Sequence, residues 1–263
     1  MEYIEVPIMS DCFAKGQKPE YLFWVGCLGS FDDRAKKISK AFARLLHYAK
    51  VDYAILGKEE SCCGDPVRRA GNEMLYQMQA LTNIEILKMY EVRKIITFCP
   101  HCFNTFKNEY TDYDGKYEVI HSTDFILQLI NEGKLKLNTQ AIENEKIAFH
   151  DPCYLGRANN IYDSPRKLID MLTDKRIELK RCKSFALCCG AGGAQMFKEA
   201  EKGNKEVFIE RIEDVIESES KVLATACPYC MVMLTDGIKY KNKEEEISNF
   251  DIIELISKHL ITE

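Results

Sequence analysis

The stretch SCCGDPVRRAGNE at residues 61–73 contains two adjacent cysteines, and a second adjacent pair stands in LCCGAGG at residues 187–193. A lone cysteine precedes each pair by 34 residues (28–61 and 154–187), and a Cys-Pro-x-Cys sequence follows each pair after 35 or 37 residues (64–98 and 190–226). Such matched spacing indicates an internal duplication. The first set is Cys27, Cys62, Cys63, Cys99 and Cys102, and the second set is Cys153, Cys188, Cys189, Cys227 and Cys230.

Short apolar segments precede the cysteines, and segments with helical spacing of apolar residues separate them. In the first half we predict strands at 21–26, 51–56, 94–98 and 117–121 and helices at about 33–50, 72–90 and 123–132. In the second half we predict strands at 146–150, 176–180 and 221–226 and helices at about 164–173, 199–217 and 251–260. The alternation predicts an α/β fold with a doubly wound parallel sheet in each half.

Two predicted helices have apolar stripes that identify core positions. For the helix at 33–50 these positions are Ala35, Ile38, Phe42, Leu45, Leu46 and Ala49. For the helix at 72–90 they are Leu75, Met78, Leu81, Ile84 and Leu87, and we interpret Met74, Tyr76 and Met78 as packing residues. Both helices are therefore expected to cover a sheet.

The cysteine spacing has a structural explanation in this fold. A strand–helix–strand step takes about 30 or more residues, so each gap of 34–37 residues is one step. The cysteines then lie at the carboxyl ends of neighbouring strands, where open α/β sheets bind ligands. We predict an N-terminal extension at 1–20, a first domain at 21–135, a polar link at 131–140 and a second domain at 141–263.

Composition narrows the class of protein. The net charge of -5 and pI near 5.7 argue against nucleic acid as a partner, because phosphate binding needs a basic face. No apolar run approaches the ~20 residues of a membrane span, and the first residues do not resemble a signal peptide. Twelve cysteines without an export signal indicate a reducing compartment. We therefore expect a cytoplasmic protein without a transmembrane segment of its own.

Five thiols in one place are compatible with several kinds of site. Disulfides are disfavoured, because adjacent cysteines bridge only with strain and the compartment is reducing. A tetrahedral zinc site or an ordinary cubane cluster takes four cysteines and leaves one spare in each half. A cluster that uses all five thiolates matches the count best, and zinc remains the alternative.

The segments SCCGDPVRRAGNE, TFCPHCFNTF, HDPCYLGR, LCCGAGG and ACPYCMVML resemble the cysteine-rich CCG domain proteins. These include the catalytic B subunit or D-type subunit of heterodisulfide reductases and related iron–sulfur oxidoreductases. The resemblance covers residues from about 20 to 240. It implies two domains related by a pseudo-twofold axis, with a non-cubane 4Fe-4S cluster held by each cysteine set and the reactive region between the domains.

The resemblance also implies a function. We expect an iron–sulfur oxidoreductase subunit, similar to heterodisulfide reductase, that accepts electrons from a partner and reduces a disulfide or a related two-electron acceptor. The alternative is an electron relay between a flavoprotein or ferredoxin-type partner and a quinone-linked complex. Larger relatives carry ferredoxin-like cysteine repeats and sometimes membrane helices, which this sequence lacks. We therefore expect a separate ferredoxin-type iron–sulfur subunit and a flavoprotein subunit as partners, with a membrane-bound partner also compatible.

Charged and titratable residues beside the cysteines are candidates for the substrate side. Arg68 and Arg157 would bind an anionic substrate or, alternatively, form surface salt bridges. His150 and His101 would carry protons or, alternatively, make structural hydrogen bonds. Cys12 and Cys182 lie outside the repeat, and we interpret them as spare thiols. Gly64 and Gly190 follow the pairs, where a tight turn and an amide hydrogen bond to sulfur are both expected.

Overall fold

The structure is a computed structural model that describes residues 4–139, 142, 145–200 and 202–261. The chain divides into two compact units, Met1–Leu135 and Lys136–Glu263. The division falls inside the polar stretch at 131–140. Residue 141, the predicted start of the second domain, lies outside the described residues. The domain bounds therefore stay a prediction.

The first unit has one four-stranded sheet in the order β2-β1-β3-β4, with every pair of neighbouring strands parallel. Its strands are β1 (Tyr21–Phe23), β2 (Tyr53–Ala54), β3 (Lys94–Thr97) and β4 (Glu118–His121). Its helices are α1 (Met9–Ala14), α2 (Gly26–Phe31), α3 (Ala35–Tyr48), α4 (Asp65–Arg69), α5 (Glu73–Met89), α6 (Pro100–Asn104) and α7 (Ser122–Asn131). A π-helical turn at Thr105–Glu109 and 3-10 turns at Gly57–Glu59 and Tyr110–Tyr113 complete it.

The second unit repeats the arrangement with the strand order β6-β5-β7-β8, again all parallel. Its strands are β5 (Ile147–Phe149), β6 (Arg176–Glu178), β7 (Val222–Thr225) and β8 (Ser248–Asp251). Its helices are α8 (Asp163–Asp170), α9 (Val207–Glu217), α10 (Pro228–Tyr240) and α11 (Ile252–Lys258), and 3-10 turns lie at Lys183–Phe185 and Gln195–Phe197. The equal strand orders confirm the predicted duplicated α/β fold.

The order of the strands creates a crevice in each sheet. In the first unit the chain moves from β1 outward to β2 and then returns across β1 to β3. Because crossover connections are right-handed, α3 and α5 cover opposite faces of the sheet. The winding therefore reverses between β1 and β3, and the loops that follow these two strands diverge from each other. Open α/β sheets bind ligands at such a point, at the carboxyl ends of the strands. The second unit has the same point between β5 and β7.

The N-terminal segment that we predicted as an extension packs on the first unit. The backbone N–H of Met9 donates to the carbonyl of Ile55 at 2.8 Å, and Ile8 forms a parallel bridge with Ile55. Met9 is buried as a result. The segment therefore extends the hydrogen bonding of the first unit beyond β2.

Helix α3 buries the apolar positions that we predicted, whereas α5 buries only some of them. All six apolar positions that we predicted for the first of these helices are buried. In α5, Ile84 and Leu87 are buried, but Leu75, Met78 and Leu81 are 39%, 59% and 49% exposed. The buried stripe of α5 is instead Tyr76, Ala80, Asn83, Ile84 and Leu87. The prediction was wrong because apolar residues lie on more than one side of this helix, and a polar residue, Asn83, belongs to the buried side.

One other predicted helix needs correction, and two elements were missed. The helix predicted at 199–217 begins only at Val207, because the polar segment before it contains Gly203 and the N-cap residue Glu206 is extended with ψ 145°. Residue 201 of this prediction lies outside the described residues. Helix α10 and strand β8 were not predicted. No helix in the described part of the chain has the length and apolarity that a membrane span needs.

Candidate metal centres

The cysteines of each set follow three strands of one sheet. In the first unit, Cys27 lies in the first turn of α2, just beyond β1. Cys62 and Cys63 lie in the loop between β2 and α4, and Cys99 and Cys102 lie at the start of α6, just beyond β3. In the second unit the corresponding positions follow β5, β6 and β7 and are occupied by Cys153, Cys188, Cys189, Cys227 and Cys230.

The five thiols of each set are joined by a chain of hydrogen bonds. The chain runs Cys27–Cys62–Cys63–Cys102–Cys99 in the first unit. It runs Cys153–Cys188–Cys189–Cys230–Cys227 in the second unit. All twelve cysteines are among the described residues, and each is a thiol rather than half of a disulfide. The fold thus brings together the cysteines of each predicted set, in the same order in both units.

One sulfur in each set is favoured as the thiolate. Hydrogen bonds from Cys102 and Cys62 lower the pKa of Cys63 to about 7. Hydrogen bonds from Cys153 and Cys189 lower the pKa of Cys188 below its ordinary value. A thiolate is the form of cysteine that ligates metals, and hydrogen bonds from neighbouring thiols stabilise that form.

The glycine after each cysteine pair adopts a left-handed backbone. Gly64 has φ +91° and Gly190 has φ +89°. In this conformation the N–H of Gly64 donates to Sγ of Cys62 at 3.4 Å, and the N–H of Gly190 donates to Sγ of Cys188 at 3.3 Å. Glycine occurs in these turns because L-residues with a Cβ disfavour positive φ. The tight turn and the amide-to-sulfur hydrogen bond that we expected are therefore the same feature.

The Cys-Pro-x-Cys sequences begin helices. Cys99 and Cys227 are the N-cap residues of α6 and α10, and the proline that follows each occupies the first helical position. Proline is favoured there because its missing N–H would have no helical partner and its φ is already suitable. The positive end of the 13-residue helix α10 lies beside its cysteines, which favours thiolate over thiol.

Glu60 fixes the loop that carries Cys27. Its carboxylate accepts the backbone N–H of Val25 at 3.1 Å and that of Gly26 at 2.6 Å. Burial raises the pKa of Glu60 to about 7, although both backbone hydrogen bonds favour the carboxylate. Gly26 is also close to the sulfurs, since a Cβ at this position would lie 3.4 Å from Sγ of Cys102. No sequence pattern pointed to Glu60, which acts across more than thirty residues.

The second unit fixes the loop before Cys153 in another way. Asp151 receives two hydrogen bonds from the guanidinium of Arg166, at 2.8 and 2.9 Å, and both side chains are buried. The backbone N–H of Lys183 also donates to Asp151, at 2.8 Å. Arg166 in turn binds Glu178 of β6. Asp151 is therefore a structural anchor between β5, α8 and β6.

His150 lies beside the sulfurs of the second set. One of its ring nitrogens and the sulfurs of Cys189 and Cys230 all lie within 4.8 Å of one another. Nδ1 of His150 accepts a hydrogen bond from Nε of Arg211 at 3.0 Å. Burial, and then the charges of Arg211 and Arg157, hold the pKa of His150 well below its ordinary value, although Cys188 opposes this. The imidazole is therefore neutral.

Two predicted substrate residues are engaged with protein groups. Arg68 pairs with Glu109 at 2.8 Å and Glu73 at 3.2 Å, and its guanidinium lies 4.6 Å from the ring centre of Tyr76. Arg157 is exposed and donates a hydrogen bond to the carbonyl of Ala186, two residues before Cys188. Both remain candidates for binding an anion, each next to a cysteine loop.

The remaining residues singled out from the sequence have structural surroundings. Nδ1 of His101 lies 2.8 Å from the carboxylate of Asp65, and both residues are buried. Cys12 lies in α1, and Cys182 precedes the turn at Lys183–Phe185. Neither of these two thiols belongs to the hydrogen-bonded chains described above.

Comparison with known proteins identifies the repeated unit. A family model described as a cysteine-rich domain, CCG, matches residues 21–107 and again residues 147–235. The probable iron–sulfur-binding oxidoreductase FadF of Bacillus subtilis is 41% identical over 258 residues, 98% of this chain and 36% of that protein. The EtfAB:quinone oxidoreductase of Syntrophomonas wolfei is 41% identical over 249 residues, 92% of this chain and 35% of that protein.

A relative from Methanosarcina barkeri shares the same region. The D-type polypeptide of the dihydromethanophenazine:CoB–CoM heterodisulfide reductase of Methanosarcina barkeri is 31% identical over 254 residues, which is 92% of this chain and 59% of that polypeptide. The chain thus spans between about a third and three fifths of the length of these relatives. Because the matched segments contain both cysteine sets and both sheets, the chain belongs to the CCG cysteine-rich domain family and contains two copies of the domain.

Proposed function

We propose that the chain is an iron–sulfur oxidoreductase subunit in which each five-thiol set holds one non-cubane 4Fe-4S cluster. The observation that carries the proposal is the hydrogen-bonded chain of five thiols, which has the same order in both units. When bound, a cluster of this kind takes up and releases single electrons. The ligands would be Cys27, Cys62, Cys63, Cys99 and Cys102 in the first unit and Cys153, Cys188, Cys189, Cys227 and Cys230 in the second.

The donor sets fit iron and sulfide better than zinc. A tetrahedral zinc site takes four ligands, and it would leave the same fifth thiol unused in both units. The surroundings also suit an anionic centre, because the N–H groups of Gly64 and Gly190 already donate to cysteine sulfur. The relatives support the same conclusion, since the name of the Bacillus subtilis relative describes it as iron–sulfur-binding.

We propose that the two centres together serve a two-electron reaction, the reduction of a disulfide or a related acceptor. Two one-electron centres match the two electrons that cleavage of a disulfide consumes. The similarity to the D-type polypeptide of heterodisulfide reductase supports this reaction. Arg157 is the best placed of the candidate residues to attract an anionic substrate, because it is exposed and bonded to the loop of Cys188. Electrons would arrive from a ferredoxin-type iron–sulfur subunit and a flavoprotein subunit.

An electron relay is the second candidate function. It is favoured by the 41% identity to the EtfAB:quinone oxidoreductase, compared with 31% to the heterodisulfide reductase polypeptide. In this case the centres would pass electrons one at a time from a flavoprotein towards a quinone-linked partner. The chain spans 35% of that relative, so separate subunits or further segments would supply the remaining functions.

Anaerobic purification with iron and acid-labile sulfide analysis tests the proposal. We expect about eight iron and eight sulfide per chain for two 4Fe-4S clusters. A colourless protein that binds zinc and contains no sulfide would overturn the proposal. Reduced protein is then mixed rapidly with a disulfide or with a water-soluble quinone. Stoichiometric thiol release supports disulfide reduction, and oxidation by the quinone alone supports the relay.

A further inference from the structure

The two units place different aromatic rings at one equivalent position. Trp24 stands three residues before Cys27, and His150 stands three residues before Cys153. The backbone N–H of Trp24 donates to the carbonyl of Ile96 in β3 at 2.9 Å, and that of His150 donates to the carbonyl of Ala224 in β7, also at 2.9 Å. Both side chains are buried, with 0% and 1% of their surface exposed. At this site the two units therefore have the same backbone hydrogen bond and different side chains.

Hydrogen bonding fixes the tautomer of His150. An arginine guanidinium only donates hydrogen bonds, so the bond from Nε of Arg211 requires a lone pair on Nδ1 of His150. The proton of the neutral imidazole is then on Nε2. This nitrogen is buried and has no hydrogen-bond partner among the residues that the structure describes. A buried N–H without a partner is energetically costly, so a nearby acceptor is expected.

Two cysteine sulfurs lie beside this ring. Cys189 and Cys230 lie within 4.8 Å of a ring nitrogen, and Nδ1 is already engaged with Arg211. We propose that Nε2–H of His150 donates a hydrogen bond to a sulfur of the second centre, and that this bond raises the reduction potential of that centre. The inference rests on the proposed function, because it concerns the centre that the second set would hold.

Arg211 and Asp214 act as positioning residues for this bond. Arg211 is 0% exposed, and its Nη1 donates to Asp214 at 3.0 Å and to the carbonyl of Arg181 at 2.8 Å. Asp214 is held in turn by two hydrogen bonds from Arg181, at 2.8 and 2.9 Å. The guanidinium therefore cannot turn away from His150 without breaking two other bonds. Trp24, the equivalent residue of the first unit, packs edge-on against Phe106 with 4.6 Å between ring centres, and its buried Nε1–H also has no partner among the residues that the structure describes.

An N–H donor to sulfur favours the more negative, reduced state of an iron–sulfur centre. Removing the donor should therefore lower the reduction potential of one centre and leave the other unchanged. We expect about a tenfold change in the reduction equilibrium, which corresponds to ~59 mV for a one-electron couple.

The test is a redox titration of the iron-loaded full chain, followed by electron paramagnetic resonance. The variants are His150→Phe, which removes the donor, and His150→Gln, which keeps an N–H at the position of Nε2. Trp24→Phe is the matched control in the first unit. We expect the potential of one couple to fall in His150→Phe, to be restored in His150→Gln, and to be unaffected in Trp24→Phe. Equal potentials in wild type and His150→Phe, or a shift of the same couple in Trp24→Phe, would overturn the proposal.

Arg211→Met provides a second variant that leaves His150 in place. Asp214 keeps its two hydrogen bonds to Arg181, so this change does not leave a buried carboxylate unpaired. We expect the same couple to shift in the same direction, because the tautomer is no longer fixed. An unchanged potential would contradict the positioning role. Iron content is measured first, in the wild type and in every variant. A wild-type chain without iron refutes the proposed function. Loaded centres whose reduction potential does not shift refute only this inference.

Discussion

The single residue that most constrains each cysteine loop is the glycine after the pair. Gly64 combines positive φ with a close neighbour, because a Cβ built on it would lie 2.6 Å from Cδ2 of Tyr76. Gly190 has nearly the same φ, but the nearest atom to such a Cβ is 3.5 Å away. Both copies of the sequence Cys-Cys-Gly thus need a positive φ at the glycine. Only in the first copy would a side chain at this position also overlap a neighbouring residue.

Alanine substitutions separate the two contributions. We expect Gly64→Ala to reduce the free energy of unfolding by about 2–4 kcal/mol, since backbone strain and the overlap with Tyr76 add. Gly190→Ala should cost about 1–2 kcal/mol, from backbone strain alone. Gly192→Ala is the control, because a Cβ there has no atom within 4 Å, and it should change stability by less than about 0.5 kcal/mol. Urea denaturation measures all three, and equal losses at Gly64 and Gly192 would contradict the argument.

At the scale of elements, Arg166 connects a helix, a strand and the loop before Cys153. It lies on α8, forms a buried pair with Asp151 and also binds Glu178 of β6. Asp151 is 3% exposed at its side chain, so its carboxylate depends on this partner. Glu178 is 36% exposed and keeps Arg176 as a second partner. Loss of Arg166 therefore affects mainly Asp151.

Replacing Arg166 should be strongly destabilising. We expect Arg166→Met to lower the free energy of unfolding by about 3–5 kcal/mol, because a buried carboxylate loses its counter-charge. The double variant Arg166→Met with Asp151→Asn should recover part of this loss, since asparagine is neutral and can still accept the N–H of Lys183. Denaturation in urea measures both. A double variant no more stable than the single one would show that lost packing, and not the unpaired charge, causes the effect.

The exposed and the buried face of helix α5 should contribute differently to the stability of the protein. Met78 is 59% exposed, whereas Ile84 is 2% exposed, although both fit an apolar helical pattern. Exposed apolar residues contribute little to stability, while a buried isoleucine contributes both its transfer free energy and its packing.

Two substitutions test this assignment of faces. Met78→Lys should change the free energy of unfolding by less than about 0.5 kcal/mol. Ile84→Ala should reduce it by about 2–5 kcal/mol. Circular dichroism during urea denaturation provides the comparison. A large loss in Met78→Lys would mean that this face of α5 is covered in solution.

At the scale of the whole molecule, the sequence patterns predicted the features that depend on residues close together in the chain. The strands before the cysteines and the spacing of one β-α step were sufficient to predict a parallel sheet in each half, although the fourth strand of the second sheet, β8, was missed. The patterns did not identify Glu60 or Arg211, because these side chains bind partners 34 and 61 residues away and carry no periodic signal. They also misplaced the buried face of α5, where tertiary packing selects one of several apolar stripes.

The duplication has a consequence for the whole chain that can be measured. Each hydrogen-bonded chain of thiols is formed entirely within its own unit, and Cys63 and Cys189 are the corresponding members that join the cysteine pair to the Cys-Pro-x-Cys thiols. Loss of either residue should therefore disable one set and leave the other intact. The ordinary thiols Cys12 and Cys182 belong to neither chain, which makes them matched controls.

We expect Cys63→Ser and Cys189→Ser each to retain about half of the wild-type iron and sulfide, and the double variant to retain almost none. Cys12→Ser and Cys182→Ser should retain the full content. Replacing His150 in addition should lower the reduction potential of the set that survives in Cys63→Ser and leave that of the set that survives in Cys189→Ser unchanged, because only the former lies beside His150. Iron and sulfide analysis of anaerobically purified protein decides the first point. Complete loss of iron in either single variant would mean that the two sets do not assemble independently, so that the duplicated units would bind their metal as one system.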